Sequence, residues 1–327
     1  MFSIGIEFSV LDLFRVKWVA LVGGPLGIVL SIGLGVAVAT LAGWGRLQGV
    51  VLGAVVCVAS TMVLARLLMD RKELGSVHGR LMIGITLVED LAVVVLTVLL
   101  PNLKANEAGH FGAAAWALTK ALLLLIPLGF VATKLIPRLL ARVARTRSEE
   151  LFLLVVLAIC LGTAALTQAI GLSLALGAFL AGLAISESEH AHQTLAHLLP
   201  LRDAFVALFF ITIGALINPK VLFASLPLLA VMLLLIIVGK TIIWTTIVRL
   251  FGYSIWTALA VAVGLTQIGE FSFVLVQVAR SSGLVGAEVY SATLAASLLS
   301  ILLNVFLVRY VLAWTGRRHP SSAAATP

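Results

Sequence analysis

Charge is what this sequence has least of. Only 11% of its 327 residues are Asp, Glu, Lys or Arg, where a soluble domain carries about 25%. With 61% hydrophobic residues and a mean hydropathy of +1.18, a soluble globule has no interior large enough for its apolar surface. Cysteine is almost missing. Cys57 and Cys160 both fall in apolar runs, which excludes a disulfide scaffold and reads as small buried residues rather than metal ligands. The start, MFSIGIEFSV, lacks a basic stretch and a cleavage site, so it is not read as a signal peptide. No nucleophile elbow, zinc motif or Walker loop appears, which argues against an enzyme and implies no cofactor. The net charge of +8 lies in connections between apolar runs. That excludes nucleic acid as the partner and makes it the lipid bilayer.

What is present is length. Apolar runs of about 20 residues, enough for a helix to cross the hydrocarbon, recur along the chain. They are too long and continuous for the strands of a membrane barrel. The fold class is therefore an all-α polytopic membrane protein, since backbone in lipid must satisfy its own hydrogen bonds. Eleven helices are read, at 1–10, 19–42, 47–69, 81–100, 113–136, 151–170, 172–186, 203–218, 220–248, 255–279 and 287–313. Residues 1–313 form one transmembrane domain, and 314–327 a short polar tail expected to be disordered.

Basic residues set the topology. The odd-numbered connections and the C-terminal end hold sixteen Lys and Arg, among them Arg71, Lys72, Arg138, Arg142, Arg202 and Arg317; the even ones hold four, Arg46, Lys104, Lys220 and Arg280. The positive-inside rule places the odd side and the C-terminus in the cytoplasm, in a plasma (inner) membrane.

The chain also resembles itself. A shift of 209 brings Ile4 onto Ile213, Gly5 onto Gly214 and Phe14 onto Phe223. The same shift carries helix 19–42 onto 227–250 and helix 47–69 onto 255–279. The intervening number of helices is odd, so the copies are inverted, an arrangement many secondary transporters build around a site at the bilayer midplane. The second copy is preceded by helices 151–170 and 172–186. The first has no such pair, so about two N-terminal helices are expected to be lacking relative to a complete parent.

Four charged groups sit deep in apolar helices: Glu89, Asp90, Lys240 and Glu270. Each costs roughly 2.5–3.5 kcal/mol at the centre of a membrane. Ser60, Thr61, Thr86 and Gln267 lie near them in the sequence pattern. Thr61 meets Glu270 under the repeat shift, and Thr86 shares a helix face with Asp90. Glu89 lies about 100° round the helix from Asp90, so the two need not face one cavity. A static pair with Lys240 would explain one acid, not three. A carboxylate that binds either a proton or a small cation makes the two compete, and a site open to one side at a time turns competition into exchange. Ser60, Thr61 and Gln267 offer uncharged oxygens, and local unwinding around AVVCVAST and VGLTQIGE would expose carbonyls to complete a cation's shell.

In these motifs the chain resembles the monovalent cation:proton antiporter-2 family, in particular its Kef-type members. The segments are IGIEFS at 4–9, VASTMVLARLL at 58–68, ITLVEDLAVVVL at 85–96, GLSLALGAFLAGLAIS at 171–186, LFFITIGALIN at 208–218, VGKTIIW at 238–244 and TQIGEFSFVL at 266–275. The resemblance implies an inverted-repeat antiporter fold with two unwound crossing core helices, here 47–69 and 255–279, a dimerisation panel and hence a homodimer. It implies an essential acid at Asp90 and a neighbouring lysine at Lys240. It also implies exchange of potassium or sodium for protons, with potassium efflux the usual Kef-type role. There are departures. Glutamate precedes the key acid, AST replaces SST, and Asn304-Val305 stands where proline is common. No cytoplasmic nucleotide-binding domain follows, so regulation of that kind would come from a separate nucleotide-binding subunit.

The resulting reading is a secondary active monovalent cation:proton antiporter. Its cation- and proton-binding residues are Asp90, Glu89, Ser60, Thr61, Gln267 and Glu270, with Lys240 as charge partner and no metal beyond the transported cation. The alternative is a truncated, non-transporting membrane protein or a subunit of a cation transport system. His190, His192 and His197 are read as part of a solvated loop, with pH sensing and metal binding as lesser readings. The run RLLARVARTRSEE is read as a basic interfacial loop beside anionic lipid. GGPLG and AFLAG are read as close-packing spacings.

Overall fold

The computed structural model describes residues 2–7, 16, 18–103, 134–146, 148–169, 174–186, 191–216 and 219–318. In chain order the helices are α1 (Phe2–Glu7), α2 (Val19–Leu41), α3 (Arg46–Cys57), α4 (Thr61–Asp70), α5 (Val77–Asn102), α6 (Ile136–Ala144) and α7 (Glu149–Ala169). Then follow α8 (Leu174–Ser186), α9 (Ala191–Leu216), α10 (Pro219–Ala224), α11 (Leu226–Leu250), α12 (Ile255–Gly264), α13 (Glu270–Ser281) and α14 (Ala287–Arg318). Among the described residues there is no strand, and six segments are long and apolar enough to cross a bilayer: Val19–Leu41, Arg46–Asp70, Val77–Pro101, Glu149–Ala169, Leu226–Leu250 and Ala287–Tyr310. The protein is an all-α, multi-pass membrane protein. Most of the helix expected at 113–136 lies outside the described residues, as do residues 8–15.

The chain forms two compact units, residues 1–12 with 107–212, and residues 13–106 with 213–327. In the first, Ile6, Ile136, Leu140, Phe152, Val156, Ile185 and Leu198 form a common core. α1 packs on α8 at Gly182 of the AFLAG segment, where an added Cβ would fall 3.0 Å from Gly5 Cα. The basic run expected as an interfacial loop is helical over Ile136–Ala144, with Ile136, Leu140 and Val143 buried and Arg138 and Arg142 exposed.

Three boundaries differ from the sequence reading. α9 starts at Ala191 and continues through Pro200, so His192 and His197 are helical rather than in a loop; His190 lies outside the described residues. The residues around them form helices adequately, and a proline inside a helix removes only one backbone bond outright. α14 runs to Arg318, five residues past the expected end, because nothing before the final prolines breaks it; residues 319–327 of the expected tail lie outside the described residues. The single helix expected at 220–248 is divided at Ser225, and α11 passes through a π-helical stretch at Leu235–Gly239 before regaining α geometry at Lys240.

The second unit is tied together by close backbone approach. α2 and α3 pack so tightly that a Cβ on Gly35 would lie 2.5 Å from Gly53 N and 2.6 Å from Gly49 O. A Cβ on Gly27 of the GGPLG segment would lie 2.6 Å from the buried ring of Trp244. Just beyond the end of α13, Gly283 takes φ +68°, and there Leu284 N–H returns to Ala279 C=O at 2.8 Å and Gly283 N–H to Arg280 C=O at 2.9 Å, a left-handed glycine stop.

The helices expected at 47–69 and 255–279 are each interrupted. α3 stops at Cys57 and α4 starts at Thr61, with Val58 and Ser60 extended (ψ 116° and 107°). α12 stops at Gly264 and α13 starts at Glu270, with Gly269 extended (φ −104°, ψ −172°).

Candidate functional site

The two pauses are bonded to each other. Gly269 N–H donates to Val58 C=O at 3.2 Å. The side-chain amide of Gln267 accepts from Ser60 N–H through Oε1 (2.8 Å) and donates through Nε2 to Ser60 C=O (3.1 Å). The approach requires a glycine, because a Cβ on Gly269 would lie 2.7 Å from Ser60 Cα and 2.9 Å from Ser60 N.

The acids reach the first pause from α5. Glu89 Oε2 accepts from Ala59 N–H at 2.8 Å, and Asp90 Oδ2 from Thr61 Oγ1 at 2.9 Å. Adjacent residues on one helix thus meet successive parts of one pause, although their side chains leave the helix about 100° apart. The other oxygen of each, Glu89 Oε1 and Asp90 Oδ1, is buried and has no hydrogen-bond partner among the described residues. Ser60 Oγ donates to Glu270 Oε2 at 3.2 Å, so all three acids touch residues 59–61. Asp90 lies in the fields of Glu270 and Glu89.

Lys240 is fully buried and donates to Gln267 C=O at 3.2 Å. Among the described residues it has no carboxylate within 4.0 Å, although it lies in the field of Glu89. Besides the charge-partner role expected from the sequence, it caps a carbonyl of the second pause. The polarity agrees with the helix ends. The cation faces carbonyls beyond the C-terminus of α12, while Glu270 and the acceptors Glu89 and Asp90 lie where α13 and α4 begin, each favoured by the helix dipole.

The seven residues proposed from sequence, Ser60, Thr61, Glu89, Asp90, Lys240, Gln267 and Glu270, are therefore linked through these two pauses. Thr86 is not part of the set: it is buried and its hydroxyl donates to Ile83 C=O of its own helix at 3.1 Å. Of the carbonyls at the two pauses, those of Val58, Ser60, Val263, Gly264, Gln267 and Ile268 accept from protein donors.

Sequence reasoning missed the residues that hold the second pause from α14: Ser297, Ser300 and Asn304, all buried. The signal was present as polar residues spaced by three and four on an apolar helix, which share a face. It also missed the π-helical stretch before Lys240, a distortion often found at functional sites and invisible to hydropathy.

These features agree with what the chain is similar to. Residues 1–314 match the family described as "Sodium/hydrogen exchanger, transmembrane". The chain belongs to that family. It is 39% identical to the "Putative cation/proton antiporter YbaL" of Escherichia coli (strain K12), over 94% of this chain and 56% of that protein. It is 37% identical to "K(+) efflux antiporter 6" of Arabidopsis thaliana, over 95% and 53%, and 34% identical to the "Putative K(+) efflux antiporter KefB" of Alkalimonas amylolytica, over 95% and 47%. The chain spans about half the length of the curated relatives it matches.

Proposed function

We propose that the chain is the membrane part of a monovalent cation:proton antiporter, in which a proton and a potassium or sodium ion compete for Asp90. The observation that carries this reading is the state of that carboxylate. It is buried, one oxygen is held by Thr61 and the other has no partner among the described residues. A carboxylate out of water is stable either as the neutral acid or with a cation beside it. One Asp90 offers both choices and excludes their combination.

In the proposed cycle a cation enters against Asp90 Oδ1 and the proton leaves that carboxyl group. Glu89 Oε1, Glu270 and the hydroxyls of Ser60 and Thr61 supply the other oxygens. Gln267 and Lys240 keep the two pauses in register and do not follow the cation. The site opens to one face of the membrane at a time, so occupancy by one ion carries it across and the return is made with the other. The names of the relatives, which specify cation/proton antiport and potassium efflux, support potassium as the cation. The 209-residue inverted repeat and the pairing of Ser60 with Gln267, one from each copy, support alternating access between two related halves.

The domain assignment, residues 1–313 as a transmembrane domain, belongs to this reading. So do the homodimer, a separate regulatory nucleotide-binding subunit, residence in the inner (plasma) membrane and a cytoplasmic C-terminus, the last resting on the distribution of Lys and Arg.

The test is cation-driven proton release in proteoliposomes or everted vesicles loaded with a pH-sensitive dye. Wild-type protein is expected to respond to potassium or sodium, and Asp90→Asn to give no response while still folding and inserting. Exchange at the wild-type rate by Asp90→Asn would refute the assignment. Folded wild-type protein inert to both cations would favour a non-transporting subunit.

A further inference from the structure

Backbone that leaves a helix inside a membrane protein must find other partners, because no bulk water is available to supply them. At the first pause those partners come from the second, through Gln267 and Gly269. The second pause draws partners from a different element. Ser297 Oγ donates to Ile268 C=O at 3.0 Å, and Ile268 N–H donates to Ser300 Oγ at 3.3 Å. Asn304 Nδ2 donates to Val263 C=O at 2.6 Å, contacts Gly264 C=O at 3.4 Å, and donates to Thr266 Oγ1 at 3.1 Å.

The arrangement is specific in three respects. Both backbone groups of Ile268 are bonded by one helix, as both backbone groups of Ser60 are bonded by one glutamine. Asn304 donates to the last two carbonyls of α12: Val263 C=O, which also accepts from Thr266 N–H at 3.1 Å and Thr266 Oγ1 at 2.7 Å, and Gly264 C=O. All three side chains are at most 1% exposed, so water does not substitute for them.

We propose that Ser297, Ser300 and Asn304 are positioning residues for the exchange site, with α14 acting as the strut that fixes the second pause. None of them touches the acids. They act through Ile268 and the end of α12, which set where Gln267 meets Ser60 and where Glu270 begins α13. A pause held this way presents Glu270 and Gln267 at constant geometry. A pause without the ties frays, because Gly264 and Gly269 at its borders disfavour a continuous helix, and the cation then meets oxygens that are no longer convergent. The link to cation binding rests on the antiport reading above; the structural role of α14 does not.

The test joins two measurements on the full chain. Hydrogen–deuterium exchange of the purified protein in nanodiscs reads residues 265–269 directly. Cation-driven proton release in proteoliposomes gives apparent KM and Vmax separately for potassium and sodium. Ser300→Ala and Asn304→Leu are expected to speed amide exchange across 265–269 while α2 and α3 keep wild-type protection. Apparent cation KM is expected to rise about fivefold for each tie removed, the factor for one net hydrogen bond, with Vmax within about twofold. Ser300→Thr, which keeps the hydroxyl, is expected to restore both. Should Asn304→Leu fail to fold, Ser300→Ala decides alone. Folded variants with native amide exchange at 265–269 overturn the strut, and native KM in variants with faster amide exchange overturns its role in cation binding. Wild-type protein that transports neither cation would remove the antiport reading and leave the amide measurement valid.

Discussion

Gln267 and Ser60 lie 207 residues apart in sequence, yet the glutamine side chain pairs with both backbone groups of the serine, at 2.8 and 3.1 Å. An amide side chain here takes the place of a neighbouring strand. It completes the bonding of the residue that caps the start of α4, and it does so at the point where three acids converge.

Replacement of Gln267 by Leu removes both bonds and leaves the buried Ser60 N–H without its acceptor, while Ser60 C=O keeps its bond from Leu64 N–H at 3.1 Å. An unpaired buried N–H costs about 1–3 kcal/mol, so the variant is expected to lose several degrees of melting temperature in detergent and most of its exchange activity. Gln267→Asn, one methylene shorter, is expected to recover stability only in part. A native melting temperature for Gln267→Leu would show that the pairing contributes nothing.

Gly269→Ala tests the close approach. The new Cβ would sit 2.7 Å from Ser60 Cα, against backbone that has little freedom to retreat. Overpacking of this kind costs about 1–3 kcal/mol, and transport is expected to fall at least about tenfold. Gly286→Ala is the control, since nothing lies within 4 Å of its added Cβ; it is expected to transport like wild type. Equal activity of the two variants would contradict the geometry.

Lys240 and Glu89 are both buried and lie in each other's field without direct contact. Lys240→Met leaves Gln267 C=O without its donor and Glu89 without a compensating charge. Glu89→Gln removes the second of these problems. The double variant is therefore expected to be less impaired than the two single effects combined, with a coupling of about 0.5–3 kcal/mol in a double-mutant cycle on exchange rate or melting temperature. Strict additivity would mean that the charges do not interact.

The proposed competition for one carboxylate fixes the sign of the pH dependence. If a proton on Asp90 excludes the cation, lowering the pH weakens apparent cation affinity, and by linkage the cation promotes proton release. With one shared proton, apparent KM is expected to rise by at most about tenfold per pH unit on the acid side, and to level off on the alkaline side. Stopped-flow dye measurements at several pH values read this slope directly. A KM independent of pH over the full active range would exclude competition at a single group.

The membrane fold and the charged residues of the candidate site were legible because charge in hydrocarbon is expensive: Glu89, Asp90, Lys240 and Glu270 stand out from any apolar background. The interruptions fall on AST and TQIG, short runs where polar and glycine residues replace helix formers. The destinations of hydrogen bonds were not legible. Hydropathy treats Lys240 as an isolated charge, whereas the structure turns it to Gln267 C=O. Helical spacing placed Thr86 beside Asp90, but a buried threonine can bond its own helix backbone, and Thr86 does. Asn304 stood out in the sequence only as a replacement for proline. Its three acceptors lie 38–41 residues back along the chain, and nothing local in α14 encodes that pairing. The histidines between the helices expected at 172–186 and 203–218 were read as a loop, where α9 is continuous from Ala191.

The glycine contact between α2 and α3 has a mechanical consequence. Backbone seated on backbone at Gly35, Gly49 and Gly53 leaves no layer of side chains to act as a bearing. The two helices cannot glide past one another without atoms interpenetrating, so α2 has to accompany α3 in any displacement. The smallest body that can shift with the first pause is thus a fused pair of helices, and its inertia and lipid drag are those of the pair.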